Sequence, residues 1–300
     1  MRDASVDASV RPRLEDLVAL RALAHARGTP RRGRSGVAGR APAPLRGRGM
    51  EYAESREYTA GDDARHIDWR VTARTGRAHT KLYHAERDRL TLLVADTTAA
   101  LYFGTRTRFK SVQAARAGAI ATWAAARDGD RVAALRGGSE PPVPAATGQR
   151  GALRVLDALV RWYRAPPADD RGLDAALAQA RRLLRPGSRL LVLADPGSVA
   201  AVGDERWTTL AMHHDVLVLL LVDPLECRPP AAALRFVDPG GARTDLDLAA
   251  SAQRARWRNQ FDAPVAAALT RLPARGVHVE VLSSDAPGDG WLPAFSRRGR

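Results

Sequence analysis

The stretch RLTLLVADTT, residues 89–98, decides the fold. Leu90 to Ala95 is an apolar run without polar alternation, and it ends on Asp96. A strand buried on both faces reads this way, because helices cover both sides of a parallel sheet. Two further runs have the same form, SRLLVLAD at 188–195 and DVLVLLLVDP at 215–224. Each delivers an aspartate, Asp96, Asp195 or Asp223, to the carboxyl edge, where open α/β sheets place their ligand or partner sites. Asp223 also precedes Pro224 and fits a plain turn.

Helical patterns separate these strands: FKSVQAARAGAIATWAAA at 109–126, segments near 150–163 and 172–185, and DERWTTLAMHH at 204–214. RVAALR at 131–136 adds a strand. Alternation of this kind predicts an α/β, doubly wound, mostly parallel sheet with helices on both faces. The last third departs from it. LRFVDPGGARTDLDL at 234–248 reads as an appended β-hairpin about a Pro-Gly-Gly turn, followed by a long helix over about 249–272 and the strand VHVEVLSS at 277–284. Near the start, RLEDLVALRALAHA at 13–26 predicts a helix, and the Arg/Gly/Pro-rich run to residue 49 reads as a mobile linker. The expected organisation is therefore 1–49 as N-terminal helix and basic linker, 50–89 as a charged segment, and 90–300 as the α/β domain.

Composition narrows the function. In 300 residues, 45% hydrophobic content suffices for a core. No run of about 18 apolar residues occurs, and the N-terminus lacks the apolar stretch of a signal peptide, so a cytoplasmic protein without a transmembrane segment is expected. The single cysteine, Cys227, excludes an internal disulfide and a thiolate metal cluster. A net charge of +14 invites a nucleic-acid reading, yet only Lys81 and Lys110 are lysines among the 47 basic residues. Residues 1–50 carry eleven arginines against four acidic residues. No aromatic-and-basic platform accompanies this charge, so specific nucleic-acid binding is not expected.

The segment 56–77 is denser in charge and aromatic surface than a strand or helix requires: Arg56, Tyr58, Gly61, Asp62, Arg65, His66, Asp68, Trp69, Arg70, Arg74 and Arg77. His66 could act as a base, but no nucleophile stands at an activating position. Two readings remain. As a clamp, Gly61-Asp62 makes a turn, Asp68 pairs Arg65 or Arg74, and Trp69 is a buried anchor beneath the loop. As a contact surface, the segment presents Arg70 and Arg77, since Trp, Tyr and Arg supply interface hot spots.

The residues from Gly47 to Thr105, GRGMEYAESREYTAGDDARHIDWRVTARTGRAHTKLYHAERDRLTLLVADTTAALYFGT, carry a resemblance. With DVLVLLLVDPLE and FDAPVAAALTRLPARGVHVEVLSSD, they resemble domain of unknown function 58 over about residues 40–285. That resemblance implies a von Willebrand factor A-like fold. It also implies a place beside MoxR-type AAA+ ATPases, a role in assembling or remodelling client proteins, and no established enzyme activity. Von Willebrand A domains hold a divalent cation with an Asp-x-Ser-x-Ser turn, a threonine and a later aspartate. Here Asp96 and Thr98 match the turn, Ala100 replaces its last hydroxyl, Asp195 stands for the later aspartate, and Arg171 falls at the threonine. The site is thus degenerate: no Mg²⁺ and no other cofactor is expected, and an arginine pairing Asp96 or Asp195 is the expected source of positive charge. The expected function is a non-enzymatic adaptor for a MoxR-type AAA+ ATPase and an unknown client, the alternatives being a metal-dependent hydrolase and a basic nucleic-acid-binding protein.

Overall fold

A computed structural model of the chain describes residues 7–26, 50–59, 62–85, 89–237 and 242–296. The chain forms two compact units, Met1–Thr29 together with Arg89–Arg300, and Pro30–Asp88. The linker expected over 27–49 lies outside the described residues. The helix expected over 13–26 is two short ones, α1 (Leu14–Ala19) and α2 (Arg21–Ala26), and both belong to the larger unit. This differs from a division that sets residues 1–49 apart.

The smaller unit is built from β1 (Met50–Glu57), a 3₁₀ turn (Ala64–His66), α3 (Trp69–Thr75) and β2 (His79–Ala85). Its strands pair antiparallel, from Met50↔Ala85 to Glu57↔His79. Neither strand is legible from hydrophobic alternation, because charged residues in β1 and polar ones in β2 break it. Gly76 ends α3 with φ 72°, a left-handed cap conformation that glycine adopts without a Cβ clash.

In the larger unit, β3 (Leu90–Ala95) is followed by α4 (Lys110–Arg127), β4 (Arg131–Arg136), β5 (Val143–Ala146), α5 (Gly148–Trp162) and α6 (Gly172–Leu183). Then come β6 (Arg189–Ala194), α7 (Pro196–Ala200), α8 (Asp204–Ala211), β7 (Asp215–Val222) and α9 (Pro224–Cys227). The chain closes with β8 (Ala233–Val237), β9 (Arg243–Asp247), α10 (Ser251–Arg271), β10 (His278–Ser283) and α11 (Leu292–Ser296). Six strands form one sheet in the order β10-β7-β6-β3-β4-β5. Only β5 runs antiparallel within it. This is the doubly wound, mostly parallel α/β fold that the sequence pattern and the resemblance imply. β5 escaped the sequence reading because it is four residues long and contains Pro144, which an edge strand tolerates. The expected hairpin, β8–β9, forms its own two-stranded sheet rather than extending the main one.

Alternate residues of the central strands serve opposite cores. Leu93, Ala95, Leu191, Leu193, Leu217 and Leu219 face α4 and α5, while Leu92, Val94, Leu190, Val192, Val216 and Val218 face α6 and α8. The apolar runs are continuous for that reason: neither face meets water. Gly118 lets α4 approach closely, since a Cβ there would stand 2.9 Å from Leu159 Cδ1 and 3.1 Å from Leu193 Cδ1. Leu17, Leu20 and Ala24 of the first helices complete this face. Trp123 Nε1 donates to Leu17 O at 3.1 Å, and Phe109 N donates to Ser9 O at 2.9 Å. Among the described residues no helix is long and apolar enough to cross a membrane.

Leu17 is 1% exposed, so Leu17→Ala is expected to cost about 2–5 kcal/mol through lost burial and a cavity. Urea unfolding measures it; a change under about 0.5 kcal/mol would show that α1 is not part of the core.

Candidate functional site

Strand order reverses between β3 and β6, the switch point at whose carboxyl ends doubly wound sheets place their crevice. Asp96 lies there 2% exposed. Its Oδ1 accepts from Thr98 N and its Oδ2 from Asp195 N, both at 3.0 Å. Burial pushes the Asp96 carboxyl above its ordinary value against these two bonds. Thr98 Oγ1 and Ser198 Oγ share a hydrogen bond at 3.2 Å, so Ser198 joins Asp96, Thr98 and Asp195 at the site. The three residues matched to the cation turn and the later aspartate are therefore brought together.

Two expectations need correction. Arg171 does not line the crevice: it is exposed ahead of α6, and its backbone N bonds Gly137 O at 2.6 Å. The neighbouring Asp170 takes the inward place, accepting from Thr97 Oγ1 at 3.3 Å and Gly172 N at 3.1 Å. Nor does an arginine neutralise Asp195. Lys110 does, with its Nζ 2.8 Å from Asp195 Oδ2 and 2.6 Å from Glu226 Oε1. A compact ammonium on a flexible stem bridges the two carboxylates. Burial depresses Lys110, but the charges of Asp195 and Glu226 outweigh it and hold the ammonium above its ordinary value. The signal was present in the sequence, as one of two lysines in an arginine-saturated chain.

The donor set fits a divalent ion poorly. Ala100 offers a methyl where a hydroxyl is needed, and one carboxylate is already bound to a cation. Among the described residues no three His, Cys, Asp or Glu side chains converge to hold a metal.

Asp223 does more than form a turn. It caps α9 through Leu225 N at 3.0 Å, and it accepts from Thr105 N at 3.0 Å, Thr105 Oγ1 and Ser284 Oγ at 2.7 Å. Burial raises this carboxyl, yet the four donors prevail and leave it below 3.8. Its stabilising contribution is then complete above pH 3.8 and is lost as pH falls through the lowered value.

In the smaller unit, the signature residues divide into two sets. Arg56 Nη2 binds Asp62 Oδ1 at 2.6 Å, Thr59 N donates to Asp62 Oδ2 at 3.0 Å, and Tyr58 OH donates to Asp62 O at 3.2 Å. The Thr59 N–H, then burial against it and the Arg56 donor, hold Asp62 below its ordinary value. Asp68 caps α3 through Arg70 N and Val71 N at 3.2 Å, and it accepts from Ser55 Oγ at 2.9 Å. These bonds hold the segment together. Asp68 does not pair Arg65 or Arg74, neither of which has an ion-pair partner among the described residues. Gly61 lies outside the described residues.

Trp69 is 70% exposed, so the buried-anchor expectation fails. The reason is helical phase. Val71 and Thr72 turn inward, while Trp69, Arg70, Ala73 and Arg74 form the outer face of α3 with Arg65 beside them in sequence. Arg77 pairs Glu57 at 3.0 Å in an exposed bridge.

The larger unit is thus an α/β protein of the doubly wound class, with a cluster of bonded polar side chains at its switch point. The chain belongs to the family described as "Protein of unknown function DUF58", whose profile matches residues 54–270. Uncharacterized protein Rv1480 from Mycobacterium tuberculosis (strain ATCC 25618 / H37Rv) is 33% identical over 190 residues, and Uncharacterized protein Mb1516 from Mycobacterium bovis matches equally. The match covers 61% of this chain and 58% of the length of these curated relatives. The crystal structure of the conserved hypothetical protein BatB from Bacteroides thetaiotaomicron aligns with a TM-score of 0.44 and 13% identity, over 69% of this chain and 95% of that one.

Two outcomes check the site. Asp223→Ala is expected to cost about 1–3 kcal/mol at pH 7, because buried donors lose their acceptor, and the gap to the parent should narrow below pH 3.8. Denaturant titrations at several pH values measure this, and a gap that widens in acid would contradict it. Trp69→Ala should change stability by less than about 0.5 kcal/mol, since the exposed indole leaves no cavity; a loss of several kcal/mol would show that the ring is packed.

Proposed function

We propose that the protein is a non-enzymatic interaction module that works with a MoxR-type AAA+ ATPase in the assembly or remodelling of client proteins. The observation that carries this reading is the outer face of α3. An exposed tryptophan shares that face with Arg70 and Arg74, Arg65 precedes it in sequence, and none of the three arginines has an ion-pair partner among the described residues; Asp68 caps the helix. Tryptophan and arginine are the side chains that most often dominate binding energy, and a rigid base lowers the entropic cost of using them. Family membership supports the partner, through the association that the resemblance implies.

The non-enzymatic part of the reading draws on the crevice. Its hydroxyls bond each other or carboxylates, as in Thr98–Ser198, Thr97–Asp170 and Ser284–Asp223. Among the described residues none of these three hydroxyl pairs includes a histidine, the commonest activating base. The lone cysteine agrees with a cytoplasmic setting. No observation favours the hydrolase or nucleic-acid readings over this one.

The test is titration of a cognate MoxR-type ATPase with the parent and the double variant Trp69→Ala/Arg70→Ala. Loss of these side chains is expected to weaken binding by at least tenfold, corresponding to about 1.4 kcal/mol, with stability unchanged. Equal affinity in the folded variant would remove this face from the interface.

A further inference from the structure

Lys110 is 1% exposed, and it is the first residue of α4, the helix that follows the β3 loop. Its two carboxylate partners come from the ends of β6 and β7. Both carboxylates are held by their other oxygens as well. Asp195 Oδ1 accepts from Gly197 N at 2.8 Å, and Glu226 Oε2 accepts from Asp223 N at 2.8 Å. Asp195 N in turn donates to Asp96. One ammonium therefore gathers the three strand-end loops that border the crevice, in a geometry fixed on every side by backbone N–H groups.

We propose that the Lys110 ammonium is the crevice's own cation: it holds the carboxylate position that a divalent ion would need, and the crevice works without a metal. Charge favours this arrangement. The ammonium neutralises one of the two carboxylates it touches, and a hard divalent cation at Asp195 would have to displace it or lie against it. Metal supply then has no control over the crevice. This inference stands apart from the identity of the ATPase partner, because it concerns only side chains within the larger unit.

Mn²⁺ alone is the probe, followed by its electron paramagnetic resonance signal and by melting temperature in Mn²⁺ against chelator. The parent is expected to leave the free Mn²⁺ signal unchanged at millimolar concentration and to melt at one temperature in both conditions. Lys110→Ala removes the ammonium and leaves Asp195 and Glu226 facing an open space. It should melt lower, recover in Mn²⁺, and bind the ion at least tenfold more tightly than the parent. Adding Asp195→Asn should abolish that gain. Lys110→Met, which keeps most of the unbranched stem without the charge, serves if Lys110→Ala does not fold. Saturable Mn²⁺ binding by the parent that Asp195→Asn removes would overturn the proposal. So would a folded Lys110 variant that gains no Mn²⁺ affinity. The parent titration decides the first point even where neither variant folds.

Discussion

A charge taken out of water must be matched where it is buried, and Lys110 imposes that requirement on the whole crevice. Moving an ammonium into the interior costs several kcal/mol, so the fold holds together there only while Asp195 and Glu226 stay in place. Removing one partner of such a group is typically destabilising by about 3–5 kcal/mol, which makes the three loops interdependent. Asp195 then fixes Asp96 through its backbone, and Glu226 closes the capping box with Asp223. Asp223 reaches Thr105 and Ser284. Four strand ends are thus locked by a connected set of polar bonds above two apolar cores.

The smaller unit solves a different problem with the same chemistry. It is too short to bury much apolar surface, so Asp62 and Asp68 accept the backbone N–H groups that a turn and a helix start would otherwise leave unmatched. Arg56 is consumed in holding Asp62. What remains on the outside is what the scaffold does not use, and that is how Trp69 and its arginines come to be displayed.

Much of the fold is legible in the sequence because the central strands are buried on both sides. Apolar runs ending in Asp96, Asp195 and Asp223 announce parallel strands, and all three aspartates stand at the expected edge. Local pattern fails where long-range packing decides. β5 is too short and proline-bearing to register, and β1 and β2 lack alternation. The phase of α3, which turns Trp69 outward, depends on which side meets β2. In the crevice the positions of Asp96, Thr98 and Asp195 are those that the family resemblance implies. Lys110 does not, because 85 residues separate it from Asp195 and 116 from Glu226, and only the folded chain brings them together.

The seating of α1 and α2 has a consequence for synthesis. Leu17 packs beneath Trp123, which leaves the ribosome 106 residues later. At about 5–20 residues per second, translation alone separates them by roughly 5–20 s. During that interval the apolar side of the first helices has no partner, and α5 arrives later still. The nascent chain therefore carries an uncovered greasy stripe, with its sharp local excess of arginine, until α5 has been made. Chaperones that hold short basic-apolar segments have their natural opportunity on this chain in that interval, before the sheet exists.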